Sequence, residues 1–367
     1  MLHRLDLHHF RIYRDTQWCP GPGVNVVLGD NGSGKSSLLE AIYLIGTGRS
    51  FRTARLPRLV QDGQEEATLF AEIGGASVSL DGMRHSVGMA RSRTGFTALR
   101  LDGAPVRGLS ELAQLLPVQV FHPGTVEMLE GGAGERRRFL DWGLFHVEQS
   151  FLPLWRQFSQ ALQQRNRLLR AGGSERELKP WTQQVAAFSV SIDRLRRDYL
   201  ERLQPRLEAT LAGLGQLPEI RLALFSGWAE KDADALEQLL FQDLERERQM
   251  GHTTRGAHRA DLRFTCDGVP VRDVLSRGQL KTLSYALLIS QLSLMVQDYG
   301  RHCVLLVDDL CSELDTAHSR AILTVLASLN QQMIITALQR EQLSHLEDIV
   351  QSAKMFHVEH GRISALP

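Results

Sequence analysis

The chain has 367 residues, with 42 Lys and Arg balanced by 42 Asp and Glu, so its formal net charge is zero. That balance excludes nucleic-acid affinity driven by global positive charge, and a hydrophobic content of 43% excludes a largely disordered chain. The length suits two domains or one large two-lobed domain.

The start, "MLHRLDLHHF", has no apolar core of the kind a signal peptide needs. "GVNVVLG" (23–29) predicts a buried strand ending in Gly, and "SSLLEAIYLIG" (36–46) predicts a helix stopped by Gly. "EEATLFAEIG", "ASVSLDG" and "TALRLDG" are short alternating segments bounded by turns, which predicts a meander of antiparallel strands. From about Pro123 the texture becomes helical. Residues 136–171 and 183–214 carry long amphipathic patterns, with "GGSERELKP" as the loop between them. "YALLISQLSLMVQDYG" (285–300) is too short and too polar to span a bilayer, so a buried helix is expected. "HCVLLVDD" (302–309) and "QMIITAL" (332–338) predict buried strands, "HSRAILTVLASL" a helix between them, and "KMFHVEHGRIS" a terminal hairpin. Cys19, Cys266, Cys303 and Cys311 are scattered and form no Cys-x-x-Cys pair, so a reducing cytoplasm is expected.

The expected architecture is α/β, with a discontinuous core lobe and an inserted, mainly helical second lobe. The expected boundaries are 1–122 and 301–367 for the core lobe and 123–300 for the insertion.

"GDNGSGKS" fits G-x-x-x-x-G-K-[ST], with a predicted strand before it and a predicted helix after it. Gly29, Gly32 and Gly34 let the backbone N–H groups wrap phosphate oxygens. Lys35 reaches the β- and γ-phosphates, and the Ser36 hydroxyl is a Mg²⁺ ligand. The candidate nucleotide contacts are therefore Gly29, Asp30, Asn31, Gly32, Ser33, Gly34, Lys35, Ser36 and Ser37. "VLLVDD" ends a buried strand in two acids, which are costly there unless they meet cations or a crevice. Asp308 is the candidate Mg²⁺ ligand, and Asp309 is placed to orient or deprotonate an attacking water.

The phosphate loop, "LSRGQ" (275–279), "LLVDD" and "SELD", in that order, resemble the ABC-type ATPases. With "HHFRIYRD" and "GGAGERRRFLDWGLFH", the chain is similar to the RecF family, which is related to SMC-type heads. The resemblance covers essentially the whole chain. It implies that Arg11 approaches the nucleotide phosphates. It also implies that Gln119 senses Mg²⁺ and the attacking water. Ser276, Gly278 and Gln279 form the signature turn. Arg277 stands where the wider family has Gly, Asp309 where many members have Glu, and "MIITAL" lacks the usual following His. Thr336 is the nearest polar residue there, and the shorter acid implies slow hydrolysis.

In the ABC arrangement the signature turn grips the γ-phosphate of ATP held by another copy, so an ATP-dependent homodimer is implied. The segment Ser312–Asp315 would lie along the same seam. The resemblance further implies a DNA-binding clamp of recombinational repair. It would act on single- and double-stranded DNA at gaps or junctions, with DNA-stimulated hydrolysis and RecR and RecO as partners. An ABC transporter ATPase subunit is the alternative. Arg49, Arg52, Arg55 and Arg58 form a local basic stripe suited to DNA phosphates, or equally a solvated loop; the Arg136–Arg138 triplet is open in the same way.

Overall fold

Strands of period-two alternation open the chain. They are β1 (Leu2–Phe10) and β2 (Tyr13–Trp18), followed by β3 (Val24–Leu28) and helix α1 (Lys35–Thr47). Next come β4 (Glu66–Gly74), β5 (Arg84–Ser92), β6 (Phe96–Leu101), β7 (Ala104–Pro105), α2 (Leu109–Leu115) and β8 (Val118–Phe121). The computed structural model describes residues 1–74, 84–106, 108–215, 217–229, 232–309, 314–346 and 352–366. The expected strand at 76–82 and the expected seam residues Ser312 and Glu313 lie outside the described residues.

The chain divides into two compact units. Unit 1 comprises Met1–Thr125, Gly213–Gly215 and Tyr285–Pro367, and unit 2 comprises Val126–Ala212 and Gln216–Ser284. The sequence reading put the return to the core lobe at residue 301. The division falls instead at Tyr285, inside the helix that the signature turn opens.

Among the described residues, unit 1 holds two six-stranded sheets. The antiparallel one has the order β2-β1-β4-β5-β6-β7. Leu5 and Leu7 of β1 oppose Ala71 and Leu69 of β4, and all four are buried, so the apolar face fixes the register. β5 escaped the sequence reading because Arg91 occupies one of its inward positions. Arg91 is buried with its guanidinium 4.5 Å over the Phe96 ring, which hides the alternation.

The second sheet uses the late strands β12 (Val304–Asp308), β13 (Met333–Ala337), β14 (Lys354–Glu359) and β15 (Arg362–Ala365), in the order β15-β14-β3-β13-β12-β8. Its members are parallel except for the β14–β15 hairpin. Helix α1 touches strands of both sheets and is apolar nearly all round, as a helix at the centre of a core must be.

Unit 2 carries α3 (Glu127–Glu130), α4 (Ala133–Val147), α5 (Phe151–Arg170) and the long α6, which begins at Glu175. The "SEREL" stretch expected as loop is the start of that helix. Ser174 and Glu177 cap it reciprocally: the Ser174 N–H donates to Glu177 Oε2 at 2.8 Å, and the Glu177 N–H donates to Ser174 Oγ at 3.4 Å. The unit also holds a three-stranded sheet that the sequence reading missed. Its strands are β9 (Arg221–Phe225), β10 (Asp261–Cys266) and β11 (Val269–Pro270), in the order β11-β10-β9.

Ion pairs knit unit 2 from inside. Arg165 meets Glu247 at 2.5 Å with both side chains fully buried, and it also donates to Thr182 and Thr253. Such a pair specifies an arrangement more than it adds net stability. Arg136 forks onto Asp261, and Arg137 donates to the Ala260 carbonyl. Two of the three arginines in that triplet are therefore spent on the unit's own fold.

Helix α1 packs closely against the strand β8 and the turn before it at Gly46. A Cβ there would stand 2.5 Å from Val118 Cγ2 and 2.7 Å from the Leu116 carbonyl oxygen. Gly46→Ala is expected to destabilise the chain by roughly 1–3 kcal/mol, as overpacking does. Denaturant unfolding checks this, and an unchanged midpoint would contradict the packing described.

Candidate functional site

Three neighbouring parallel strands end at one level. Asp308 at the end of β12 opposes Thr336 on β13, and Thr336 opposes Val27 on β3. Two residues past Val27 the glycine-rich loop begins. In open α/β sheets ligands bind in the crevice beyond the carboxyl ends of such strands. Here that crevice is a cleft of about 410 Å³ within unit 1. Asn31, Gly32 and Gly34 to Ser37 line it from the loop and α1. Asp308 and Asp309 line it from β12, and Arg11, Arg52 and Arg58 complete the rim.

The loop geometry needs its glycines. Gly29, Gly32 and Gly34 have φ of 152°, 81° and 125°, values that side chains resist. A Cβ at Gly29 would lie 2.3 Å from the Val358 carbonyl oxygen. The Tyr13 hydroxyl donates to the Gly34 carbonyl at 2.9 Å and fixes the loop from the β2 side. Lys35 is buried and donates to the carbonyls of Gly29 and Asp30. Burial lowers its pKa, and the nearby Asp309, Asp308 and Asp30 pull the other way.

Asp308 is the hub of the acid side. The Ser36 hydroxyl and the Thr336 hydroxyl both donate to its Oδ1 at 2.9 Å. Burial raises its pKa above the usual carboxylate range, against the effect of those two hydrogen bonds. Thr336 Oγ1 also accepts the backbone N–H of Asp309 at 3.0 Å. Asp309 sits at φ 52°, a left-handed conformation that a non-glycine residue keeps only when its surroundings hold it. Thr336 thus fixes both acids at once. The Ser36 hydroxyl and the Asp308 carboxylate are hard oxygen donors facing the cleft. Mg²⁺ asks for one or two such protein oxygens, with phosphate and water for the rest, so these residues fit it. Among the described residues no group of three or more His, Cys, Asp or Glu could hold a metal by itself.

Arg11 lies in the β1–β2 turn at φ 54°, with its N–H on the Leu59 carbonyl at 2.9 Å. The basic stripe divides: Arg52 and Arg58 line the cleft, while Arg49 and Arg55 do not. Asp30 is exposed at the mouth of the loop. Gln119 is a correction. It pairs in register with Leu305, three residues before Asp308, and so lies about 10 Å back along the strand direction. It does not line the cleft. Position 122, just past the end of β8, is the one level with the acids.

Ser276 and Gln279 make a capping box at the start of α7 (Arg277–Ser293). The Ser276 N–H donates to Gln279 Oε1 at 2.9 Å, and the Gln279 N–H donates to Ser276 Oγ at 3.4 Å. Ser276, Arg277 and Gly278 are exposed, and no described atom lies within 4 Å of where a Cβ at Gly278 would be. The chain's own packing therefore does not require glycine there.

Sequence reasoning missed Arg52 and Arg58 as cleft residues, and Glu40 and Tyr13 behind them. Glu40 left a signal: it is the one acid in the apolar run of α1.

Comparison with known proteins gives the family and the fold. The family model described as the RecF/RecN/SMC N-terminal domain matches residues 1–364. The "DNA replication and repair protein RecF" of Pseudomonas putida strain F1 is 42% identical over 346 residues, covering 94% of this chain and 93% of that one. The chain belongs to the RecF family. The RecF of Pseudomonas aeruginosa strain LESB58 is likewise 42% identical, over 94% and 92% of the two chains. Among solved structures, the recombination mediator protein RecF-ATP of the RecFOR pathway superposes with a TM-score of 0.87 at 24% identity. That match covers all of this chain and 97% of that one. The Smc head domain with an extended coiled coil from Pyrococcus furiosus gives 0.58 at 15%, over 100% and 96%. The fold is that of an ABC-type ATPase head of the RecF and SMC kind.

Two measurements test the geometry. Thr336→Val removes the hydroxyl shared by Asp308 and the Asp309 N–H, and is expected to cost about 1–3 kcal/mol in unfolding free energy, with Thr336→Ser close to wild type. Equal stability of all three would contradict the shared hydrogen bonds. His122 packs 5.1 Å from the Phe51 ring and accepts the Gly124 N–H at 3.1 Å; burial pushes its pKa down to about 4. The unfolded chain takes up this proton near pH 6.5, so His122's contribution is complete above that pH and is lost as pH falls through 4. The expected slope is about 1.4 kcal/mol per pH unit between those values. His122→Asn should flatten that part of the stability–pH curve, and an unchanged slope would contradict it.

Proposed function

We propose that the chain is an ATP-dependent DNA-binding clamp of recombinational repair and replication restart. The observation that carries this reading is the cleft in which Lys35, Ser36, Asp308 and Asp309 converge. Their types and spacing suit the triphosphate of ATP with Mg²⁺, which would neutralise charge between the β- and γ-phosphates. Asp309, backed by Thr336, is the proposed group that orients the attacking water. Its short side chain fits slow turnover, with hydrolysis acting as a switch. The relatives named for DNA replication and repair, and the ATP-bound RecF structure, support the biological setting.

Dimerisation is the second part of the proposal. The Ser276 hydroxyl and the Gly278 N–H are offered to the γ-phosphate of ATP held by a second copy. Each charge-assisted contact is worth roughly 1.5–3 kcal/mol, and two-fold symmetry doubles the set. Losing the γ-phosphate removes these contacts and opens the clamp. DNA binding would run through phosphates and be salt-sensitive, with Arg49 and Arg55 as exposed candidates on unit 1. Single- and double-stranded DNA at gaps or junctions, loading of recombinase, DNA-stimulated hydrolysis, RecR and RecO as partners and a cytoplasmic location complete the reading. No described helix is long and apolar enough to cross a membrane, and no relative named above is a transporter subunit.

Ser276→Arg is expected to keep ATP binding, because Lys35 and the loop amides are untouched, and to lose ATP-dependent dimerisation and hydrolysis. Sedimentation of the variant with ATP checks this, and a variant that still dimerises contradicts the contact in trans. Lys35→Met is expected to lose tight ATP binding itself, by about tenfold or more for a charge-assisted contact. DNA affinity should fall steeply across a salt series; a flat response would contradict backbone recognition.

A further inference from the structure

Arg11 lines the cleft, but its guanidinium is held from behind. Its Nε and Nη2 donate to the two carboxylate oxygens of Glu40 at 2.8 and 2.7 Å. The Glu40 side chain is 0% exposed and that of Arg11 is 19% exposed. Glu40 stands on α1 between Leu39 and Ala41, both buried. A carboxylate in such surroundings is costly unless its oxygens are satisfied. The Ser50 hydroxyl and Arg52 supply what Arg11 does not: Ser50 donates to Oε1, and Arg52 Nη1 lies 3.8 Å from Oε2. Ser50 Oγ in turn accepts the backbone N–H groups of Arg52 and Thr53, each at 3.0 Å. One buried acid thus anchors a fixed arginine and the turn that carries a second.

The two arginines are held differently. The Glu40–Arg11 pair is a fork that fixes the guanidinium plane, so little rotamer freedom is left to lose when an anion arrives. Arg52 has the longer ion pair and a 3.3 Å hydrogen bond to Ser37 Oγ, and it is 42% exposed. Packing alone would be met by an apolar residue at position 40. A carboxylate next to an anion-binding cleft opposes the ligand's charge, so it is favoured only if the cations it orders more than offset that repulsion.

We infer that Glu40 is a positioning residue that orders Arg11 and the Arg52 turn and so sets the cleft's preference for a triphosphate over a diphosphate. This rests on the reading of the cleft as an ATP site. Glu40 touches no nucleotide itself; its effect passes through Arg11 and Ser50.

The test is equilibrium affinity of the full chain for ATP and for ADP, followed by fluorescence. The proteins are wild type, Glu40→Gln, Arg11→Ala and the double variant. Glu40→Gln keeps the size and removes the charge. It is expected to lower the ATP-over-ADP preference about tenfold, the scale of one charge-assisted contact, while ADP affinity stays within about threefold. Adding Arg11→Ala should bring little further loss, because both changes remove one coupled unit. A merely structural role would weaken both nucleotides alike and give additive losses, and either result overturns the inference. If Glu40→Gln does not fold, Arg11→Lys asks the same question from the other side. It keeps the charge without the fork, so the ATP preference should fall, and a preference equal to wild type overturns the inference. A wild type that binds no ATP overturns the nucleotide reading and this inference with it. A wild type that binds normally beside an unaffected Glu40→Gln overturns this inference alone.

Discussion

The half-buried carboxylate of Asp308 is the constraint on which the site depends. Its Oδ1 receives hydroxyls from Ser36 on α1 and Thr336 on β13, residues 272 and 28 positions away in the chain. Burial alone would push this acid toward its neutral form. The two hydrogen bonds oppose that and tie the phosphate loop to the acid strand. A helix start, a strand end and a neighbouring strand thereby share one point. The same threonine holds Asp309 in its left-handed conformation. A sparsely populated backbone conformation persists only where its neighbours hold it, and here the buried Thr336 does so.

A fully buried acid makes a similar arrangement one turn along α1. Glu40 ties the helix to Arg11 in the β1–β2 turn and to Ser50 in the following loop. Helix α1 is therefore more than the apolar filling between two sheets. It carries Lys35 and Ser36 at its start and Glu40 inside, so each side of the cleft is referred to the same rigid element.

Much of this was legible in the sequence because it depends on local pattern. Gly29, Gly34, Lys35 and Ser36 announce the loop, and the apolar run before Asp308 announces a central strand. The Ser276–Gln279 spacing announces a helix start. What escaped depends on tertiary pairing. Gln119 is polar and near a strand end, but register decides which end, and pairing with Leu305 puts it at the wrong level. Arg52 and Arg58 fitted a stripe for DNA phosphates or a solvated loop equally well until the fold turned them to the cleft. Arg136 and Arg137 looked equally free, and they close unit 2 instead. β5 was masked by a buried arginine; β9 and β10 do alternate, but they are only 5 and 6 residues long and lie in a stretch whose long helical patterns dominate.

The central claim is that Ser36 and Asp308 make the cation half of an ATP site. It is tested most directly by ATP affinity with and without Mg²⁺, in wild type and in Asp308→Asn. The account expects Mg²⁺ to strengthen ATP binding to the wild type, and Asp308→Asn to lose that increment while keeping its Mg²⁺-free affinity. An Asp308→Asn variant with the full wild-type response to Mg²⁺ would contradict it.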